Sequence, residues 1–238
     1  MNRTGQFRGI QHQVYESLLN SIVELEIPPE TKLTIQRLKS IYDVSSTPIR
    51  GALYKLIEDD LVKSGHGKSF YVKDINEVEV KQIFSLRLVL EELALKESIN
   101  RIDLSVISDL ILRMRSHLKN PEETKIHVPY DIDYKLHNEI LKNCGNPYLI
   151  GVMKKISTLI KRMRNVIKYY LPEQQKDWII TEMEEHLQIA EGILNGSFKQ
   201  SSNALENHLL HSIEMVCTIL ETTKVEYKPA KRFIELGV

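Results

Sequence analysis

The sequence predicts a mainly α-helical chain in two parts: an N-terminal unit of three helices closed by a β-hairpin, then an antiparallel bundle of longer helices. Three observations carry the prediction. Between residues 11 and 59, apolar residues recur at helical spacing in three short runs separated by turn residues. Residues 61–72 hold two β-prone stretches around a polar loop punctuated by glycine. Beyond Asp74 the strand signals stop, and long amphipathic segments follow one another between Pro, Gly, Asn and Asp. Short helices with a hairpin and long helices without strands belong to different layer architectures, so the change near residue 74 marks a domain boundary.

The first helix is expected over 11–26, with Val14, Leu18, Ile22 and Leu25 on one face and Pro28-Pro29 ending it. The second runs over 34–42, where Thr34 is placed to cap and Ile35, Leu38 and Ile41 share a face. A third covers 47–59. There Ser46 or Thr47 can cap, Pro48 suits a first turn, and Ile49, Leu53, Leu56 and Ile57 form the apolar stripe. The loop KSGHGKS at 63–69 joins Leu61-Val62 to Phe70-Tyr71-Val72 as a hairpin. Six helices are then expected near 77–100, 104–119, 127–142, 147–170, 173–194 and 199–223. The chain thus divides into a first domain over 1–74, a helical domain over 75–224 and a tail over 225–238 of unassigned role.

Composition excludes several classes. A length of 238 residues suits two domains, and 42% hydrophobic with 27% charged residues is ordinary for a globular chain with a sizeable core. No run approaches the roughly 18 apolar residues of a membrane span, and the N-terminus lacks an apolar stretch behind a basic start. A cytoplasmic protein with no membrane partner is expected. Cys144 and Cys217 stand far apart and outside any CxxC pair, which suits buried reduced thiols rather than a disulfide or a zinc knuckle. Net charge is zero; residues 1–73 hold ten Lys and Arg against eight Asp and Glu, so the first part carries +2 and the rest −2. Nucleic-acid binding therefore depends on where the cations sit and not on their total.

Three helices followed by a hairpin make a winged helix-turn-helix, whose third helix can enter the major groove of double-stranded DNA while the wing reaches a phosphate or the minor groove. Ser45, Ser46 and Thr47 bring hydroxyls to the start of that helix, and the fork of Arg50 matches two acceptors of guanine. In the wing, His66 and Lys68 flank Gly67, where backbone can come close to the sugar-phosphate rail. These same residues carry a resemblance. VSSTPIRGALYKLIEDDLV is similar to the recognition helix and following strand of the GntR family of bacterial regulators, SGHGKSFYV to its wing, and IVELEIPPETKLTIQRLKSIYDV to the segment before. The resemblance implies DNA contact by Gln36 on the second helix, two residues after the capping residue Thr34, which is counted with the DNA-binding residues. Three departures are visible: Pro29-Glu30 replaces the usual Pro-Gly, Ser46 stands where Arg is common, and Gly51 where Glu is common. A usual DNA-contacting guanidinium is thus missing, and the preferred operator is expected to differ.

In the helical part, Asp133 and His137 stand four apart in DIDYKLHNEIL, so one helix face presents both; His186 and His208 lie on the fifth and sixth helices of the bundle. Inward-facing helices can bring such residues to one metal ion, although spacing alone does not select them from eight histidines. DYKLHNEILKNCGNPYL resembles the signature of the FCD ligand-binding domain, named for the FadR C-terminal domain, and EEHLQIAEGILNGSFKQSSNALENHLLHSI resembles its closing two helices. The resemblance implies that Asp133, His137, His186 and His208 bind a divalent cation. Six helices favour the VanR-like branch over the seven-helix FadR-like branch and disfavour fatty acyl ligands. Three imidazoles and one carboxylate suit Zn, the default, or Ni, Co or Mn. Positions left open on the ion make a small organic acid the expected effector, bridging the metal to a cationic side chain. Arg87, in SLRLVLEE, matches an arginine that similar domains aim inward; a salt bridge to Glu91, four residues on, is its competing role. His211 is not expected to be a ligand, and Trp178, Tyr169 and Tyr170 are expected in the core or a lid.

The function expected from the whole is sequence-specific control of transcription, repression ahead of activation, by a homodimer on an approximately palindromic operator. No enzymatic activity is expected. Two alternatives stand beside it: a metal-dependent enzyme built on the same three histidines and aspartate, and a winged helix turned to protein interaction.

Overall fold

The computed structural model describes the backbone of residues 3–65, 69–125, 127–170 and 175–222, and within these the side chains of 9–65, 69–125, 127–167 and 177–222. The chain is mostly helical, with one small antiparallel sheet. Among the described residues it divides into two compact units, one running to Asn76 and including Thr158–Val166, the other made of Glu77–Ser157 and the residues from Ile167 onward.

In the first unit α1 (Arg3–Val23) buries Val14, Leu18 and Ile22. It stops before the predicted end because Leu25 enters left-handed backbone at φ 56° and the Ile27 N–H bonds back to Ser21 O. Leu25 is buried as expected, but from a turn and not from a helix face. Glu30 takes a second left-handed position, at φ 62°, and donates its N–H to Val72 O at 3.0 Å. A side chain with a Cβ in this conformation costs about 1 kcal/mol or more, which explains why glycine is usual at this place in similar sequences. β1 (Lys32–Leu33) follows, a two-residue strand too short for any alternation to announce.

α2 (Ile35–Tyr42) is capped by Thr34, whose Oγ1 accepts the Arg37 N–H at 3.3 Å. α3 (Ser46–Glu58) buries Pro48, Ile49, Ala52, Leu53 and Leu56. Its N-cap is Ser45, one residue ahead of the predicted Ser46 or Thr47, and Ser45 makes no side-chain cap bond. β2 (Val62–Ser64) and β3 (Phe70–Val72) form the hairpin, with Val62 opposite Val72 and Ser64 opposite Phe70; β1 lies on the other edge of β3 with Leu33 opposite Phe70. Leu33, Leu61, Phe70 and Val72 are all buried under this small sheet. The stretch Thr158–Val166 satisfies carbonyls of the same unit: Asn165 Nδ2 donates to Val23 O at 2.8 Å, one of the orphan acceptors at the end of α1, and Arg162 donates to Lys73 O and Asp74 O.

The second unit is built from α4 (Glu77–Ser98), α5 (Leu104–Lys119), α6 (His127–Asn143), α7 (Pro147–Tyr170, apart from its middle stretch), α8 (Gln175–Leu194) and α9 (Phe198–Thr222), close to the bounds the periodicity predicts. Asp103 starts α5 by accepting the Ser105 N–H at 2.9 Å. Gly145 at φ 73° and Gly196 at φ 65° supply the left-handed turns ahead of α7 and α9. α9 packs along α8 and α4, and α6 lies against α4 and α8, so four helices share one interior. Trp178 is buried there with its ring 5.3 Å from that of Tyr130. Cys144 and Cys217 are buried and free. The side chains of Tyr169 and Tyr170, and the tail from residue 223, lie outside the described residues. No described helix is long and apolar enough to cross a membrane.

Candidate metal centre and nucleic-acid interface

At 100° per residue, the buried side of α3 leaves Thr47, Arg50, Tyr54 and Glu58 on the opposite face. Ser45 and Thr47 are exposed at its start, and Ser46 and Arg50 are half-buried. Tyr54 is 55% exposed in the middle of that face and meets Phe70 of β3 edge-on, 5.9 Å between ring centres. Sequence reasoning missed Tyr54; the available signal was its position one turn beyond Arg50. Gly51 lies beside α1, where a Cβ would come within 2.4 Å of the amide end of the Gln11 side chain, a group free to move aside, so nothing in the structure explains the departure from Glu. On α2, Gln36 is exposed and Arg37 half-buried, while Thr34 is committed to its cap. The wing-tip residues His66, Gly67 and Lys68 lie outside the described residues.

The helical unit brings Asp133, His137, His186 and His208 together. All four are buried, and one ligand atom of each lies within 4.8 Å of every other. Asp133 Oδ1 is the hub: His186 Nε2 stands 3.2 Å from it, His137 Nε2 3.3 Å and His208 Nε2 3.7 Å. α6 supplies the first pair through its four-residue spacing, and α8 and α9 supply one ring each.

The outward nitrogens explain the orientation. His137 Nδ1 meets the Glu91 carboxylate, His186 Nδ1 meets Glu182 O at 2.6 Å, and His208 Nδ1 meets Glu185 Oε2 at 2.9 Å. Each of these oxygens accepts, so each Nδ1 donates outward and each ring leaves its Nε2 facing Asp133. His137 Nε2 and His208 Nε2 are buried with no hydrogen-bond partner. Beside a carboxylate, a buried ring nitrogen is answered either by a proton or by a bound cation.

The charges make the same demand. Glu91, Asp133, Glu182 and Glu185 surround the rings, set against the guanidinium of Arg87. Burial would raise the Glu91 carboxyl, but the Arg87 and His137 charges and hydrogen bonds outweigh it and hold it down at about 2. Burial also opposes a charge on His208, yet the Asp133 carboxylate beside it, the Glu185 hydrogen bond and the nearby Glu182 push it up to about 9, so in the metal-free cluster a proton answers part of the negative charge. His186 is pulled down, by burial first and then by His208.

Donor chemistry and spacing both fit a divalent ion. Two donors about 2.1 Å from one ion stand roughly 3.0–3.4 Å apart across a right or tetrahedral angle, close to the hub distances here. The outer partners complete the carboxylate–histidine arrangement that fixes tautomer and ring direction in metal sites. This is a buried group able to hold a metal.

Arg87 makes the ion pair to Glu91 that was weighed for it. Its Nε donates to Glu91 Oε1 at 2.5 Å, its NH2 lies 3.8 Å from Asp133 Oδ1, and its NH1 is buried with no hydrogen-bond partner. His211 is not among the four clustered residues and meets Glu185 Oε1 at 2.7 Å. Glu182 and Glu185 were not singled out from the sequence, because they sit on α8 and announce themselves only through the rings they touch.

Comparison with known proteins follows the same division. Residues 10–72 match the bacterial regulatory proteins of the gntR family, and residues 82–211, more than half the chain, match the FCD domain. The chain is 24% identical over 214 residues to the HTH-type transcriptional repressor GlaR of Escherichia coli, spanning 85% of this chain and 93% of that protein. It is 24% identical over 216 residues to the HTH-type transcriptional regulator YdhC of Bacillus subtilis, spanning 89% and 93%. Among solved structures it is similar in fold to Escherichia coli McbR/YncC, with a TM-score of 0.69 at 16% identity over 89% of this chain and 98% of that one.

Proposed function

We propose, from the premise that this chain belongs to the FCD-domain regulators of the gntR family and is a DNA-binding transcriptional regulator with an effector-binding domain, that it is a repressor controlled by a small organic acid held at a divalent metal. The observation that carries this is the convergence of three imidazole Nε2 atoms on Asp133 Oδ1 with every Nδ1 tied outward. Asp133, His137, His186 and His208 hold the ion, with Zn the default and Ni, Co or Mn the alternatives. Bound there, the ion supplies a Lewis-acid anchor for a carboxylate. Arg87 offers its unpartnered NH1 beside the cluster as the second anchor for the anion. Repression is supported by the name of the Escherichia coli relative. Glu91 and Glu185 are each engaged with a histidine, which suits orienting rings and not abstracting protons, so we read the site as sensory and not catalytic.

On the DNA side, we assign Ser45 at the N-cap and Ser46, Thr47, Arg50 and Tyr54 of α3 to the groove, Thr34 and Gln36 to its flank, and His66, Gly67 and Lys68 to contact with the DNA backbone. Two copies reading a twofold operator follow from symmetry. An effector changes the grip only by binding one arrangement of the chain more tightly than another. The test is a gel shift of the metal-loaded full chain on its own upstream DNA, with and without a panel of small carboxylates. Retardation that weakens with salt, and is relieved by one acid in the parent chain but not in Arg87→Ala, is expected; a shift indifferent to every acid contradicts the effector reading.

A further inference from the structure

The two orphan atoms on the α4 side of the cluster have one cause. Glu91 is 1% exposed and lies between a metal-site ring on α6 and a guanidinium on its own helix. Its Oε1 accepts from Arg87 Nε at 2.5 Å, and its Oε2 accepts from His137 Nδ1. The second bond turns His137 so that Nε2 faces Asp133 Oδ1 at 3.3 Å. The first bond fixes Arg87 by a single nitrogen and leaves NH1 open and buried. His186 and His208 are oriented by other groups, Glu182 O and Glu185.

We propose that Glu91 is a positioning residue shared by both parts of the site: one carboxylate sets the tautomer of a metal-facing histidine and aims the arginine that meets the anion. The proposal rests on the metal-and-anion reading given above. Both carboxylate oxygens are in use, so no neutral substitute reproduces the arrangement. A glutamine has one acceptor and one donor at these corners, and it can serve His137 or Arg87 but faces the other with a donor against a donor. Metal affinity and the setting of Arg87 are therefore linked through Glu91, whereas Glu185, which meets His208 and His211, affects the metal side.

The test uses the full chain, Zn2+ in competition with a chelator, and nitrogen-15 resonances of the His137 ring and the Arg87 Nε–H. In Glu91→Gln, Zn2+ affinity is expected to fall about 10- to 100-fold, as for other outer partners of metal ligands. His137 should leave the pure Nδ1–H form, and the Arg87 Nε–H should lose its protection from exchange. Glu185→Gln should weaken Zn2+ similarly and leave the Arg87 signal in place. Zn2+ binding within twofold of the parent in Glu91→Gln, with His137 still protonated on Nδ1, overturns the proposal. Should Glu91→Gln fail to fold, the metal-free parent chain decides: His137 protonated on Nδ1 supports it, and His137 protonated on Nε2 alone overturns it. A parent chain that binds no Zn2+, Ni2+, Co2+ or Mn2+ overturns the metal reading itself, an outcome distinct from metal binding that is indifferent to Glu91.

Discussion

The two units keep their chemistry in different places. In the N-terminal unit the residues read as functional are at the surface, with Ser45 and Thr47 exposed and Tyr54 open over about half its area. In the helical unit Arg87, Glu91, Asp133, His137, His186 and His208 are all buried. Water satisfies an exposed hydroxyl or guanidinium in the free protein, so its setting says little about the partner it awaits. A buried polar atom must be answered from within, and the pattern of answered and unanswered atoms reveals what is missing. The helical unit therefore states the chemistry of its ligand more fully than the DNA-reading unit states its operator.

The strongest way to break that contrast is to supply the proposed cation. At a free Zn2+ concentration about 100 times the dissociation constant, unfolding of the helical unit should be opposed by about 2.7 kcal/mol, measured as the denaturant midpoint with and without metal. His186→Ala should abolish the gain, and an equal gain in that variant would show that the ion sits elsewhere. Next in size is the DNA face: Arg50→Ala should cost about 1–3 kcal/mol of discrimination on a duplex selected from a random library by the parent chain, while the Zn2+ effect stays intact. Tyr54→Ala should weaken the same duplex without altering the salt slope, since a phenol displaces no counterion. A changed slope would count against its place on that face.

Smaller effects sharpen the picture of the N-terminal unit. Thr34→Ala removes the acceptor for Arg37 N–H and should lower its stability by about 1 kcal/mol. Glu30→Gly relieves left-handed strain at φ 62°, partly offset by the greater freedom of glycine in the unfolded chain, for a net gain of about 0.5 kcal/mol. Calorimetry of the full chain resolves both signs.

The helices were legible because each depends on its own periodicity. α4 to α9 follow the apolar spacing closely, and the cap at Thr34 is a local signal that needs no distant partner. What escaped depends on backbone geometry or on contacts across the fold. Leu25 has the spacing of a helix residue but turns left-handed, and Lys32–Leu33 becomes a strand only because β3 lies beside it. For the buried cluster, the four central residues were named in advance through resemblance, since spacing connects only Asp133 with His137. Glu91 was seen as the neighbour of Arg87, four residues away; its bond to His137 spans 46 residues and joins two helices. Arg87 was framed as a choice between two roles; the bond to Glu91 is present and leaves NH1 open for the role we propose.

The central claim is that the cluster around Asp133 holds one divalent ion in the working protein. Native mass spectrometry of the full chain, purified without chelator, tests it most directly. One ion per chain in the parent, absent from His186→Ala and from Asp133→Ala, is the result predicted. A parent mass free of metal, or the same metal content in all three proteins, contradicts it.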